Sequence, residues 1–122
     1  MGRLKPEFIE RIDSFAHRVI DVAEELSRQR RSRRIIEQLS GSGTSVGANV
    51  CESDEALSRA DFCKGLGIAV KELGETKFWL RFVGKREWVS AARLAPLQSE
   101  AQEIKLILGA ILSKTRSSSL KR

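Results

Sequence analysis

Tyrosine is absent from this chain of 122 residues, and proline, histidine and cysteine are scarce. Two prolines and no run of β-branched residues are typical of a helical protein rather than a β-sheet protein. Cys51 and Cys63 have no histidine or cysteine cluster around them, which argues against a zinc site. Two thiols are also poor evidence for a disulfide. We therefore expect no metal and no cofactor, and we interpret both cysteines as packing residues.

Long apolar runs are absent as well. No stretch reaches the roughly 18 apolar residues that a transmembrane helix needs, so we expect no membrane contact. The N-terminus leads into a charged amphipathic segment rather than an apolar signal core, which predicts a cytoplasmic protein. The length predicts a single domain over residues 1–122. Residues 117–122 are polar and basic, and we expect them to form a flexible tail.

Positive charge is concentrated in two short segments. Residues 28–34 contain five arginines and no acid, and residues 114–122 contain four bases and no acid. The whole chain has a net charge of +6, and nine of its 22 bases lie in these two segments. The rest of the chain has 13 bases and 16 acids, so its net charge is negative. A charge run can be a solvated face, but this segregation favours a polyanionic partner.

Small residues crowd positions 39–52, and two interpretations compete there. A glycine-rich stretch can be a phosphate-binding loop, but no lysine follows Gly47 and no strand precedes the glycines. The apolar spacing at 36, 39, 43, 46 and 50 instead favours a helix. Glycines inside a helix are unfavourable by about 0.8–1 kcal/mol each relative to alanine. We therefore predict that the small face, with Gly43 and Gly47, packs closely on another helix.

The same helix carries polar residues beside its apolar stripe. Ser45, Asn49 and Glu52 lie on or next to that line. Polar groups in such positions need hydrogen-bond partners when they leave water. We predict that these three residues form a structural polar network, and we consider that role better supported than catalysis.

The apolar period predicts four helices. The first spans about residues 6–27, the second 32–53 and the third 58–84, with Gly84 as its end. The fourth begins after Ser90, or near Ala95 if Pro96 occupies its first turn. Short connections imply an all-α, antiparallel up-down-up-down four-helix bundle. The predicted seam of the third helix is Phe62, Leu66, Ala69, Leu73, Thr76, Leu80 and Val83, and that of the fourth is Leu94, Leu97, Ala101, Ile104, Leu108 and Ile111. The third helix is apolar on more than one face. The residues off its main seam, predicted to form an oligomer interface, are Ile68, Phe78, Trp79 and Phe82.

This topology brings the first and third connections to one end of the bundle. The basic residues collected there, which we predict to bind nucleic acid, are Arg28, Arg30, Arg31, Arg33, Arg34, Lys85 and Arg86. Arg33 and Arg34 open a helix, where cations are disfavoured, and the fold gives no reason for them. Only Trp88 is expected to lie near these residues among the aromatics. We therefore expect contacts to the phosphate backbone with little sequence preference.

Three segments resemble the "four helix bundle protein" family, whose members are associated with 23S rRNA intervening sequences and are sometimes labelled S23 ribosomal proteins. The segments are Ser-Gly-Thr-Ser-Val-Gly-Ala-Asn-Val-Cys-Glu (42–52), Ser-Arg-Ala-Asp-Phe (58–62) and Ile-Ala-Val-Lys-Glu-Leu-Gly-Glu-Thr-Lys-Phe-Trp-Leu (68–80). Asn49 and Glu52 match the Asn and Glu of the family, and Glu72, Glu75 and Thr76 match its polar positions on the third helix. The chain departs from the family at 73–74, where Ala-Arg is more usual, and at Gly65 and Gly67.

The resemblance implies a bacterial, non-enzymatic bundle that forms ring-like homopentamers. The accessory protein of diversity-generating retroelements is similar in structure, and it binds reverse transcriptase and RNA through a basic surface. Our hypothesis is a homo-oligomeric binding or scaffold module that contacts RNA or another nucleic acid through the arginines named above, alone or within a ribonucleoprotein. The alternative is a purely structural or protein-binding oligomer. An enzyme ranks third: Glu52, Glu72 and Glu75 lack the histidine partners of bundle metal sites, so we expect no small-molecule substrate.

Overall fold

The computed structural model describes residues 3–120, with side chains as far as residue 118. Four helices and no strand occur in this part of the chain: α1 (Pro6–Arg28), α2 (Arg33–Asp54), α3 (Arg59–Lys85) and α4 (Ala91–Leu120). The predicted all-α class is confirmed. Across the same residues, no helix combines the length and the apolar character that crossing a bilayer requires.

Neighbouring helices are antiparallel. Each helix packs on the next one in sequence, and α1 also contacts α4, which closes the bundle. Gly47 lies against Ile12, whereas the earlier Gly43 lies against the later Val19, so α1 and α2 run in opposite directions. The same reversal holds between α2 and α3 and between α3 and α4. The up-down-up-down arrangement follows from these contacts.

The buried seams follow the predicted period. On α3, all seven predicted seam residues are buried: Phe62, Leu66, Ala69, Leu73, Thr76, Leu80 and Val83. On α4 the seam shifts by one residue near its C-terminal part, where Leu112 is buried and Ile111 is only half-buried. Over seven residues a straight helix turns about 20° less than the two full turns that a 3–4 repeat assumes, so the buried position moves one residue later along the helix.

Serine side chains cap three of the helices. Ser32, Ser58 and Ser90 each precede a helix, and each hydroxyl accepts a hydrogen bond from the backbone N–H three residues later, at 3.4, 3.0 and 3.2 Å. Pro96 lies inside α4, so the earlier of the two predicted starts is correct. α4 continues to Leu120, so the predicted tail over 117–122 falls partly within this helix and partly outside the described residues.

The polar contact between α2 and α3 involves other residues than those predicted. Asn49 Nδ2 donates to the backbone carbonyl of Ser45 (2.8 Å), within one helix. Glu52 is exposed, and its side chain makes no hydrogen bond to any described residue. The contact between the helices is buried: Thr76 Oγ1 donates to Ser42 Oγ (2.9 Å), which donates to a carbonyl of its own helix (3.3 Å). Two members of the predicted network, Ser45 and Asn49, are thus hydrogen-bonded to each other, and Glu52 does not join them by any described contact.

Candidate nucleic-acid interface

The α1–α2 and α3–α4 connections lie side by side at one end of the bundle. Gln29, directly after α1, joins them. Its Nε2 donates to the backbone carbonyl of Trp88 (2.8 Å) and to Glu25 Oε2 (2.9 Å). Its Oε1 accepts from Arg31 Nε (2.9 Å). One half-buried amide therefore holds the two connections together.

Both connections begin with the same left-handed backbone motif. After α1 and after α3, two backbone N–H groups bond to carbonyls five and three residues earlier, at 2.9–3.2 Å. Arg30 (φ 57°) and Glu87 (φ 59°) occupy the left-handed position, which glycine normally fills. The predicted glycine end at Gly84 is wrong, because α3 continues to Lys85. A Cβ at Gly84 would lie 3.2 Å from Leu94 Cδ1, so this glycine permits the close approach of α4.

All the predicted basic side chains are exposed, and the structure gathers them at this end. The surface that we call the arginine-rich end consists of Arg28, Arg30, Arg31, Arg33, Arg34, Lys85 and Arg86. Arg28 Nη2 contacts Glu25 Oε1 at 2.9 Å. The members that make no ion pair or side-chain hydrogen bond with any described residue are Arg30, Arg33, Arg34 and Lys85. Much of the positive charge here is uncompensated.

The start of α2 is electrostatically unfavourable. Arg33 and Arg34 are its first two residues, and its first turn contains no acid. The N-terminus of a helix carries positive partial charge, so each cation there destabilises the helix by about 0.3–1 kcal/mol. No contact among the described residues offsets this cost. An anionic ligand bound at the start of α2 would offset it.

Trp88 lies among the basic side chains, as expected. The guanidinium carbons of Arg31 and Arg86 are 4.9 and 5.6 Å from the centroid of an indole ring of Trp88. Both distances lie within the cation–π range of about 6 Å. The ring of Phe82 packs edge-on at 5.9 Å, which connects Trp88 to the aromatic residues of α3. Trp88 therefore orders two of the arginine-rich end's side chains.

Carboxylates at this end reduce its charge only in part. Hydrogen bonds from Gln29 and then from Arg28 lower the pKa of Glu25 below its usual value of 4.5. Glu25 is therefore ionised at neutral pH and partly neutralises Arg28. Arg93, in the first turn of α4, adds positive potential at Glu25. Within residues 3–118, no cluster of three or more His, Cys, Asp or Glu side chains could hold a metal ion.

The four residues predicted as an oligomer interface all lie on α3, where three of them, Phe78, Trp79 and Phe82, form an aromatic cluster. Ile68 and Phe78 are 39% and 44% exposed, whereas Trp79 and Phe82 are half-buried. The rings of Phe78, Trp79 and Phe82 pack on one another with centroids 4.8–6.2 Å apart. Trp79 also packs against the core, and its Nε1 donates to Glu75 Oε2 (3.2 Å). Of these four residues, Ile68 and Phe78 are therefore the two that offer substantial apolar surface to another molecule.

Three residues of this end, Gln29, Glu87 and Arg93, were not predicted from the sequence. Gln29 bonds to Trp88 in the α3–α4 connection, and no pattern in the sequence around Gln29 shows that this connection packs beside it. Arg93 on α4 comes close enough to Glu25 on α1 to affect its charge for the same reason, because these two ends pack side by side. Glu87 had one available signal, since no glycine follows α3 and some other residue must adopt the left-handed position.

Comparison with known proteins gives a consistent picture. A family model described as "23S rRNA-intervening sequence protein" matches residues 6–110, which include α1, α2, α3 and most of α4. A crystal structure of a protein with unknown function from the S23 ribosomal protein family of Bacteroides thetaiotaomicron is similar, with a TM-score of 0.82 and 32% identity. The similarity covers 85% of this chain and 96% of that chain. No curated protein matches the chain.

Proposed function

This chain belongs to the 23S rRNA-intervening sequence protein family, and on that premise we propose that it is a non-enzymatic, homo-oligomeric helical module that contacts RNA through its arginine-rich end. The observation that carries the proposal is the set of exposed bases without ion-pair partners among residues 3–118: Arg30, Arg33, Arg34 and Lys85. Arginine suits this role because its guanidinium can bind phosphate with two hydrogen bonds.

The geometry favours the phosphate backbone over the bases. Arg31 and Arg86 already lie against Trp88, so this indole has little free face for base stacking. One arginine-rich end could neutralise about 3–5 phosphates, which for a single strand gives a log–log salt slope of about −2 to −3.5. An oligomer would repeat the site, and simultaneous contacts would raise the affinity for long RNA.

The decisive experiment reverses the charge at the start of α2. We expect Arg33→Glu/Arg34→Glu to weaken binding of a fluorescent single-stranded RNA and to reduce the salt slope by about 1.4. The same change should raise the melting temperature, because acidic residues suit a helix N-terminus. Weaker binding by a more stable protein cannot result from unfolding.

The matched control is Lys64→Glu/Lys71→Glu, which changes the net charge equally on an exposed part of α3. It should retain most of the RNA affinity. If RNA does not bind at low salt, or if both double variants bind equally, the arginine-rich end is not an RNA site. The structural-scaffold alternative would then be preferred.

The oligomeric part of the proposal rests on the exposed apolar surface of Ile68 and Phe78. Burying one large aromatic side chain contributes about 1.5–3 kcal/mol, so a few per subunit could hold a ring together. The resemblance described above favours a pentamer. We expect Phe78→Glu to lower the mass measured by light scattering while helicity is retained. Leu57→Glu, at an exposed site outside α3, is the control. A monomeric mass for the unchanged protein would refute this part.

A further inference from the structure

A second site of different chemistry lies at the opposite end of the bundle. A cavity of about 1150 Å³ opens between the residues that precede α1, the start of α3 and the last turns of α4. Its floor is apolar and consists of Leu4, Phe8, Phe62, Ile107 and Ile111. Its basic rim consists of Arg3, Lys5, Arg59 and Lys114. Among the described residues that line it, none carries a carboxylate.

The N-terminal segment forms one wall of this cavity and is held in place. The backbone N–H groups of Arg3 and Leu4 both donate to Asp54 Oδ1 at 2.6 Å. Arg3 Nη1 donates to the carbonyl of Ser58 (3.2 Å), and its guanidinium lies 5.2 Å from the ring centroid of Phe62. This wall is therefore held by hydrogen bonds to Asp54, the last residue of α2, and to Ser58 in the α2–α3 turn.

We propose that this cavity binds an amphipathic carboxylate, a medium-chain fatty acid in its simplest form. The hydrocarbon chain would lie on the apolar floor and the carboxylate would face the basic rim. An inorganic anion would leave the apolar floor without a contact, and a neutral apolar ligand would leave Lys5 and Lys114 without a counter-charge. The volume slightly exceeds the usual range of about 300–1,000 Å³ for ligand pockets, which are commonly found between the helices of bundles.

The two lysines of the rim are the residues that we assign to the carboxylate. Lys5 precedes α1 and Lys114 lies on α4, so they approach the cavity from two walls, and both are exposed. Arg3 is already bonded to Ser58 and stacked on Phe62. A lysine has a flexible stem and three donors, so it can follow a carboxylate whose position varies with chain length.

Isothermal titration calorimetry with the full chain and decanoate, below the concentration at which it forms micelles, tests the proposal. From octanoate to dodecanoate, each further methylene that is buried should tighten binding about fourfold. Decanol and decyltrimethylammonium, with the same chain length, should bind more weakly than decanoate. Lys5→Glu/Lys114→Glu should weaken decanoate binding about tenfold, since two favourable ion pairs become repulsive.

Two controls separate this site from general attraction between the basic protein and an anion. Lys64→Glu/Lys71→Glu and Arg33→Glu/Arg34→Glu lie outside the cavity and should bind decanoate as the unchanged protein does. Ile107→Ser removes part of the floor and should weaken binding severalfold, with the melting curve confirming that it folds. The proposal is overturned if decanoate produces no binding heat, if decanol binds equally well, or if all the charge variants lose affinity alike.

Discussion

Gly43 offers the sharpest test of how α1 and α2 pack. A methyl group at this position would lie 2.5 Å from Val19 Cγ1 and 2.9 Å from Val19 Cβ. Such distances require the helices or the valine to move. At Gly47 the nearest atom, Ile12 Cγ2, would be 3.6 Å away, and at Gly41 nothing lies within 4 Å. One helix thus contains three glycines with three different environments.

The expected effects follow from two opposing terms. Replacing a helical glycine with alanine stabilises the helix by about 0.8–1 kcal/mol. Gly41→Ala and Gly47→Ala should therefore each raise the free energy of unfolding by about 1 kcal/mol. At Gly43 the overpacking cost of about 1–3 kcal/mol offsets or exceeds this gain. Gly43→Ala should therefore be less stable than Gly41→Ala by that same overpacking cost.

Urea unfolding followed by circular dichroism measures these differences. It should be repeated at several protein concentrations, because assembly contributes to apparent stability. Val19→Ala removes both Cγ atoms and leaves Cβ, so the penalty of Gly43→Ala should shrink in that background by at least about 0.5 kcal/mol. If Gly43→Ala is as stabilising as Gly41→Ala, α1 and α2 are not in close contact there. The explanation of this glycine would then be wrong.

Two further predictions concern single side chains. Glu87→Gly should raise the free energy of unfolding by about 1 kcal/mol in urea titrations, because glycine adopts φ 59° without strain; unchanged stability would contradict a left-handed residue 87. Arg11 forms a bidentate ion pair with Glu100 (2.6 and 2.7 Å). The pKa of Glu100 is lowered below 4.5, chiefly because its carboxylate accepts hydrogen bonds from Arg11. The pair therefore stabilises the fold fully above about pH 5, and this contribution is lost as the pH falls through the lowered pKa of Glu100. Glu100→Gln should therefore reduce the free energy of unfolding by about 1 kcal/mol at pH 7 and by a decreasing amount as the pH falls below 4.5. A difference that does not vary with pH would refute that assignment.

The helices and their seams could be predicted because they depend on local periodicity. The seam of α3 is the clearest case, since every predicted member is buried. Spacing alone could not separate Gly43 from Gly47, because the two differ by about an ångström in the approach of α1. Nor could it identify the Ser42–Thr76 contact, which depends on the register of α2 against α3. Asn49 bonds within its own helix instead.

The two ends of the bundle illustrate the same limit at the level of sites. The arginine-rich end was predictable because most of its charge lies in one contiguous segment, which stays together in any fold. The cavity at the other end combines residues 3–5, the start of α3 and the last turns of α4. These segments are far apart in sequence, and no single one of them has the composition of a ligand site. Only their packing creates an apolar floor beneath a basic rim.

Local stability rules are broken mainly at one end of this protein. Arg33 and Arg34 oppose the dipole of α2, and Arg30 and Glu87 occupy left-handed positions that suit glycine. At about 0.3–1 kcal/mol for each cation and about 1 kcal/mol for each left-handed residue, these features together cost a few kcal/mol. That is a substantial part of the roughly 5–15 kcal/mol by which a domain is stable.

Departures from local rules tend to concentrate at functional sites. A phosphate at the start of α2 would interact favourably with both arginines and with the free N–H groups of the helix. The same residues that destabilise the unbound protein would then contribute to binding. For this reason we propose a binding role for the arginine-rich end rather than a role in solubility alone.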